Sequence, residues 1–187
     1  MIHMKTINRI LLVLLFAAMS VMASAQVLEK AANRLELCTV ETQYGENSLS
    51  GEIEVFQMKD TGAYWLSVGH LGIGGDIIQL NFDPVYELFI PLGDTMDEAI
   101  ETMNDLKAFY KTPRLTTRQV KGCLAAMYPS DNMETVTITS RRLLGSRIVE
   151  FSVKRDDLVR ANYINKANFG SLLSSLKLYR KLHPNQK

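Results

Sequence analysis

The 187-residue chain predicts an α+β fold, a mainly antiparallel sheet with helices packed on one face. Three observations carry this. Several short segments alternate apolar and polar residues with a period of two, as half-buried strands do. Turn sequences of hairpin type, such as Asp60-Thr61-Gly62, separate them. Two longer stretches repeat apolar residues at helical spacing and carry their own start and stop signals.

The first residues are set aside from the fold. Lys5 and Arg9 precede an apolar run from Ile10 to Ala18, and Ala23-Ser24-Ala25 is a small-x-small cleavage pattern. The run is too short to span a bilayer. Residues 1–25 therefore read as a signal peptide cleaved near Ala25, and residues 26–187 as a single exported α+β domain, periplasmic or extracellular. No Cys follows the run, which argues against a lipid anchor, and no second span follows it. A chain of this size buries roughly 70% of its unfolded surface and needs no metal or disulfide cage to fold.

Along residues 26–187, Leu28, Ala31, Ala32, Leu35 and Cys38 recur at helical spacing and predict a helix over 27–39. Ile53 and Val55 alternate with Glu52 and Glu54, so Gly51–Met58 reads as a strand, with Ala63–Val68 as its hairpin partner. A glycine-rich passage, 69–75, leads to a strand over 77–82 that Asp83-Pro84 breaks. Tyr86–Ile90 is extended, and Pro91 ends it. Thr95-Met96-Asp97-Glu98 is a capping box in which hydroxyl and carboxylate satisfy orphan amides reciprocally. The helix it opens carries the stripe Met96, Ala99, Ile100, Met103, Leu106, and stops at Pro113. Residues 120–127 are ambiguous between strand and helix. Met133–Ser140 and Arg147–Lys154 alternate as strands around a turn at 141–146 containing Gly145. A last helix spans about 168–182, with Leu172, Leu173, Leu176, Tyr179 and Leu182 as its stripe. Both helices come after an aromatic–Ile pair (Phe89-Ile90, Tyr163-Ile164) and end in similar basic-apolar sequences. This raises the option of two related hairpin-plus-helix halves.

The net charge of +1 hides a division. Residues 26–112 carry 15 acidic against 5 basic side chains, and residues 113–187 carry 14 basic against 5 acidic. Two readings are open: the halves neutralise one another within one fold, or the basic half faces an anionic partner such as lipid headgroups or a polyanionic glycan. Arg141, Arg142, Arg147, Lys154 and Arg155 surround one hairpin and could form a cationic rim, although charged hairpin edges commonly serve only to block edge pairing.

Motif chemistry is sparse. His70 lies in the glycine passage with Asp76 six residues on, a ligand-binding candidate where flexible backbone meets a titratable group. Cys38 and Cys123 can form one disulfide in an oxidising compartment or stand as two buried thiols. There is no phosphate loop, dinucleotide fingerprint, G-x-S-x-G elbow or H-E-x-x-H motif. No catalytic residues, metal site or cofactor are assigned, and few aromatics accompany the basic residues, so no nucleic-acid partner is expected. The sequence points to a non-catalytic binding or envelope-associated module whose partner is a protein or an anionic envelope component. The alternative is a carboxylate-dependent hydrolase built on the acids of residues 76–105.

Overall fold

Pairing runs almost entirely between sequence neighbours, and every strand pair whose register is described is antiparallel. The computed structural model describes residues 32–40, 53–70, 72–73, 87–143, 145–155 and 158–184. The signal peptide expected over 1–25, Asp76 and the strand expected over 77–82 lie outside the described residues. Leu35–Lys187 form one compact unit, to which the strands, helices and cleft belong.

Nine strands and two helices are described, so the chain is richer in sheet than its sequence suggests. The strands are β1 (Arg34–Val40), β2 (Ile53–Met58), β3 (Tyr64–His70), the two-residue β4 (Gly72–Ile73), β5 (Glu87–Gly93), β6 (Thr117–Ala125), β7 (Glu134–Leu143), β8 (Ser146–Arg155) and β9 (Leu158–Asn165). The helices are α1 (Met96–Ala108) and α2 (Lys166–Leu182). The spatial order is β1-β2-β3-β5-β6-β7-β8-β9-β4. Because β4 continues from β3 and pairs with β9, the run β3-β5-β6-β7-β8-β9 comes round to where it began. Gly72 and Ile73 face Ala161 and Arg160, and Asn162 Nδ2 donates to the Val68 carbonyl at 2.6 Å beside that join.

Four sequence expectations change here. Of the helix expected over 27–39, residues 27–31 lie outside the described residues; among those described, residues 32 and 33 are helical and strand runs from Arg34 onward. A short apolar run fits either period, and a place beside β2 decides for strand. Pro91 does not end β5. The strand continues to Gly93, and the ladder to β3 shifts register between Tyr64 and Trp65, opposite the proline that cannot donate. Residues 117–125 resolve as β6. Finally, residues 158–165, to which the sequence assigns no element, form β9: Ile164 is buried while Val159 is exposed, so pairing to β8 rather than apolar pattern makes it a strand.

Alternation sorts the buried residues into two clusters. Ile53, Val55, Tyr64, Leu66, Val68, Leu88, Ile90 and Leu92 share the main core with Met96, Ala99, Met103 and Leu106 of α1 and Phe169, Leu172, Leu173 and Leu176 of α2. Phe56, Met58, Phe89 and Cys123 form a second cluster, with Phe56 and Phe89 edge to face at 5.9 Å. The capping box expected at Thr95 is present: Glu98 N donates to Thr95 Oγ1 at 3.2 Å, and Thr95 N donates to Glu98 Oε2 at 3.1 Å. Tyr110, in the 3₁₀ turn Phe109–Lys111 after α1, donates its buried hydroxyl to the Ile164 carbonyl at 2.9 Å and ties that turn to β9.

One glycine is fixed by crowding. β6 pairs with β7 over Thr117–Gly122 and with β5 over Cys123–Ala125. Gly122 sits where it changes partner. A Cβ there would lie 2.7 Å from Val136 Cγ2, 2.8 Å from the Phe89 carbonyl oxygen and 2.9 Å from Ile90 Cδ1.

The charged halves do meet. Arg180 of α2 holds Asp97 of α1 in a two-point contact at 2.9 and 3.0 Å, and Arg118 of β6 contacts Asp105 at 2.8 Å. The Arg180 guanidinium keeps the Asp97 carboxyl below its usual range. Both pairs are substantially exposed, so they contribute little to stability.

The two cysteines are free thiols, not the bridge the sequence allows. Cys38 lies in the main core and donates to the Leu172 carbonyl at 3.4 Å, whereas Cys123 belongs to the second cluster and accepts from Ser130 N. Burial pushes the Cys38 thiol from 9.0 up to about 12, and also raises the Tyr64 and Tyr110 hydroxyls. The unfolded thiol loses its proton near pH 9 while the folded one keeps it. Stability is therefore intact below pH 9 and falls toward pH 12, by about 1.4 kcal/mol per pH unit for one fully shifted group. Urea unfolding of Cys38→Ala is expected to start from a lower value but decline less steeply between pH 9 and 12. Parallel slopes for the two proteins would refute this.

Candidate functional site

The described cleft richest in chemistry lies at the turn end of the β7–β8 hairpin. Its construction begins at the exit of α1. Thr112 caps the 3₁₀ turn with its hydroxyl on the Phe109 carbonyl at 2.7 Å. Pro113 stops the helical course, and Thr116 closes a tight turn by donating its hydroxyl to the Pro113 carbonyl at 2.8 Å. Within this turn Leu115 holds φ at +65°, a left-handed conformation that leucine rarely adopts. The turn is stapled to β7: Leu115 N donates to the Ser140 carbonyl at 2.8 Å, and Ser140 N donates to the Thr116 carbonyl at 2.9 Å. The β6–β7 ladder thus extends past its last strand pair and places residues 112–116 against the hairpin end.

The result is a cleft of about 270 Å³ lined by Thr112, Arg114, Ser140, Arg141, Arg142 and Arg147. Four of the six are arginines, and no carboxylate is among them. Arg147 is committed to the fold: its guanidinium donates to the Tyr110 carbonyl and, at 3.3 Å, to the Thr112 carbonyl. Arg141 is held by Glu150 at 2.9 Å. Arg114 and Arg142 are exposed and make no ion pair among the described residues. Arg142 and Arg147 are direct cross-strand partners, a like-charge pairing that costs stability unless something negative lies between them. The volume falls just below the usual range of ligand pockets, about 300–1,000 Å³, and suits a small anionic group, not an extended organic ligand. Guanidinium groups present planar donor forks that match phosphate, sulfate or carboxylate oxygens, with the Ser140 hydroxyl also lining the cleft.

Blocking of sheet edges does not explain these arginines, because neither β7 nor β8 is an edge: β6 flanks one and β9 the other. The five basic residues that the sequence groups around the hairpin are divided. Arg141, Arg142 and Arg147 meet at the turn end, while Lys154 and Arg155 lie at the far end of β8, where Arg155 contacts Glu134 at 2.8 Å. Arg114, Thr112 and Ser140 are not legible in the sequence as site residues. Only the backbone staple between the 112–116 turn and β7 brings Arg114 to the hairpin.

The other candidate pair is not brought together by anything described. The His70 backbone ends β3 opposite Glu87, but its side chain and all of Asp76 lie outside the described residues. Four of the six acids between 87 and 105 have local roles: Glu87 is buried and accepts from Ser67 Oγ at 3.1 Å, Glu98 completes the capping box, and Asp97 and Asp105 pair with arginines. Among the described residues no group of three or more His, Cys, Asp or Glu side chains could hold a metal, and no helix is long and apolar enough to cross a membrane. Comparison with known proteins finds no match, whether to a family model, a curated protein or a solved structure. The cleft itself therefore carries the functional argument.

Proposed function

We propose that this chain is an exported, non-catalytic module that binds an anionic component of the cell envelope. The observation that carries the reading is the cleft of Arg114, Arg141, Arg142 and Arg147, two of whose guanidinium groups have no protein counter-charge among the described residues. Export rests on the N-terminal pattern of Lys5, Arg9, the apolar run and Ala23-Ser24-Ala25. For the fold, we read helices covering one sheet face and a strands-then-helix unit used twice, β2-β3-β5-α1 and β7-β8-β9-α2. Support comes from the shared core of both helices and from each helix following its preceding strand within a few residues.

Calorimetric titration with inorganic phosphate and with a sulfated glycan tests the binding claim. Affinity at low salt that fades as salt rises is expected, because exposed charges are screened beyond about 10 Å at 0.1 M. Absence of binding to either probe at low salt would end the proposal. Turnover of a glycoside or ester would instead favour the carboxylate hydrolase.

A further inference from the structure

We propose that the anion taken by the arginine cleft is the headgroup of an anionic lipid within a bilayer, and that Leu115 enters the bilayer beside it. This deepens the anion-binding reading and rests on it. Leu115 comes directly after Arg114, is 58% exposed, and holds φ at +65°. Single exposed leucines are ordinary. What distinguishes this one is that the backbone presents it: a left-handed residue is the place for glycine or asparagine, yet a leucine stands there, fixed by hydrogen bonds from Leu115 N and to the Thr116 carbonyl. A soluble anion would need the arginines alone. A bilayer surface needs both parts, cations drawn to its negative potential and an apolar side chain that leaves water at the level of the acyl chains. Here they occupy adjacent residues on one rigid turn. Arg114 and Arg142 face the headgroup phosphate, Ser140 offers its hydroxyl to a phosphate oxygen, and the exposed Leu115 side chain anchors the complex.

The test compares full-chain wild type with Leu115→Asn. Asparagine accepts the left-handed conformation, so the variant keeps the turn while losing the apolar group. Both proteins are sedimented with phosphatidylcholine vesicles with and without phosphatidylglycerol, and both are titrated with glycerol phosphate as the soluble headgroup. The apolar run at 10–18 is common to both proteins, so the readout is the difference between variants and between lipids. Wild type is expected to prefer the anionic vesicles. Leu115→Asn is expected to lose about tenfold of that affinity, the scale of a partly buried leucine, while glycerol phosphate binding stays unchanged. Glycerol phosphate binding without a preference for anionic vesicles, or vesicle binding indifferent to Leu115→Asn, would overturn the lipid inference and leave the anion cleft standing. No glycerol phosphate binding by wild type would sink both.

Discussion

Gly122→Ala is expected to lower the free energy of unfolding by about 2–3 kcal/mol, and Gly122→Val to prevent recovery of folded protein. The single added methyl meets three neighbours at 2.7–2.9 Å. Two are ends of side chains, Val136 and Ile90, and can give way at some cost. The third is the Phe89 carbonyl oxygen. Phe89 is the register partner of Cys123, so moving its carbonyl disturbs the ladder where β6 crosses from β7 to β5. A chain of this size shifts its melting temperature by about 2–4 °C per kcal/mol, so Gly122→Ala should melt roughly 5–10 °C lower. Combining it with Val136→Ala should recover only part of the loss, since the carbonyl contact remains. An unchanged urea midpoint for Gly122→Ala would show that the strands slide apart freely here, and would refute the view of this corner as close-packed.

Reversing charge in the cleft should separate binding from stability. The double variant Arg114→Glu, Arg142→Glu is expected to lose about 100-fold or more in anion affinity, because each charge-assisted hydrogen bond contributes about 1.5–3 kcal/mol. Its thermal stability should not fall. Neither arginine has a protein counter-charge among the described residues, and Arg142 stands in register with Arg147. A glutamate at 142 would turn a repelling cross-strand pair into an attracting one, worth a few tenths of a kcal/mol up to about 1 kcal/mol. Arg142→Glu alone should therefore melt slightly higher than wild type while binding worse. That opposition is the signature of a residue kept for a ligand at the expense of the fold. Equal anion binding by wild type and double variant would remove the cleft from consideration.

What is legible in the chain divides along physical lines. Short-range chemistry reads directly: the Thr95–Glu98 capping box, the turn at Asp60-Thr61-Gly62, and the buried stripe of α1 appear as expected, as do Leu172, Leu173 and Leu176 of α2, although Leu182, expected on the same stripe, is exposed at the helix end. Those signals are local, set by hydrogen bonds within a few residues or by one periodic face. Elements decided by distant partners do not read. β1 looks helical in the sequence because Leu35, Leu37 and Cys38 satisfy either period. Between Val159 and Asn165, β9 offers Ile164 as its one buried apolar residue, yet it pairs along its whole length with β8. The site shows the same limit. The hairpin arginines can be grouped by sequence, but Arg114 reaches them only through the staple between Leu115 and Ser140, and no sequence rule predicts a left-handed leucine.

The join between β4 and β9 has a consequence for how the molecule assembles. The Asn162 side chain bonds the Val68 carbonyl across 94 positions of chain, and the ring of strands has no end-to-end partner until β9 arrives. Neighbouring hairpins can form early, but the enclosing step must wait for residues 158–165 to be synthesised, and it carries the entropic burden of a very long loop. Such a polypeptide completes its native state late and slowly, and its open sheet stays pliable until that step.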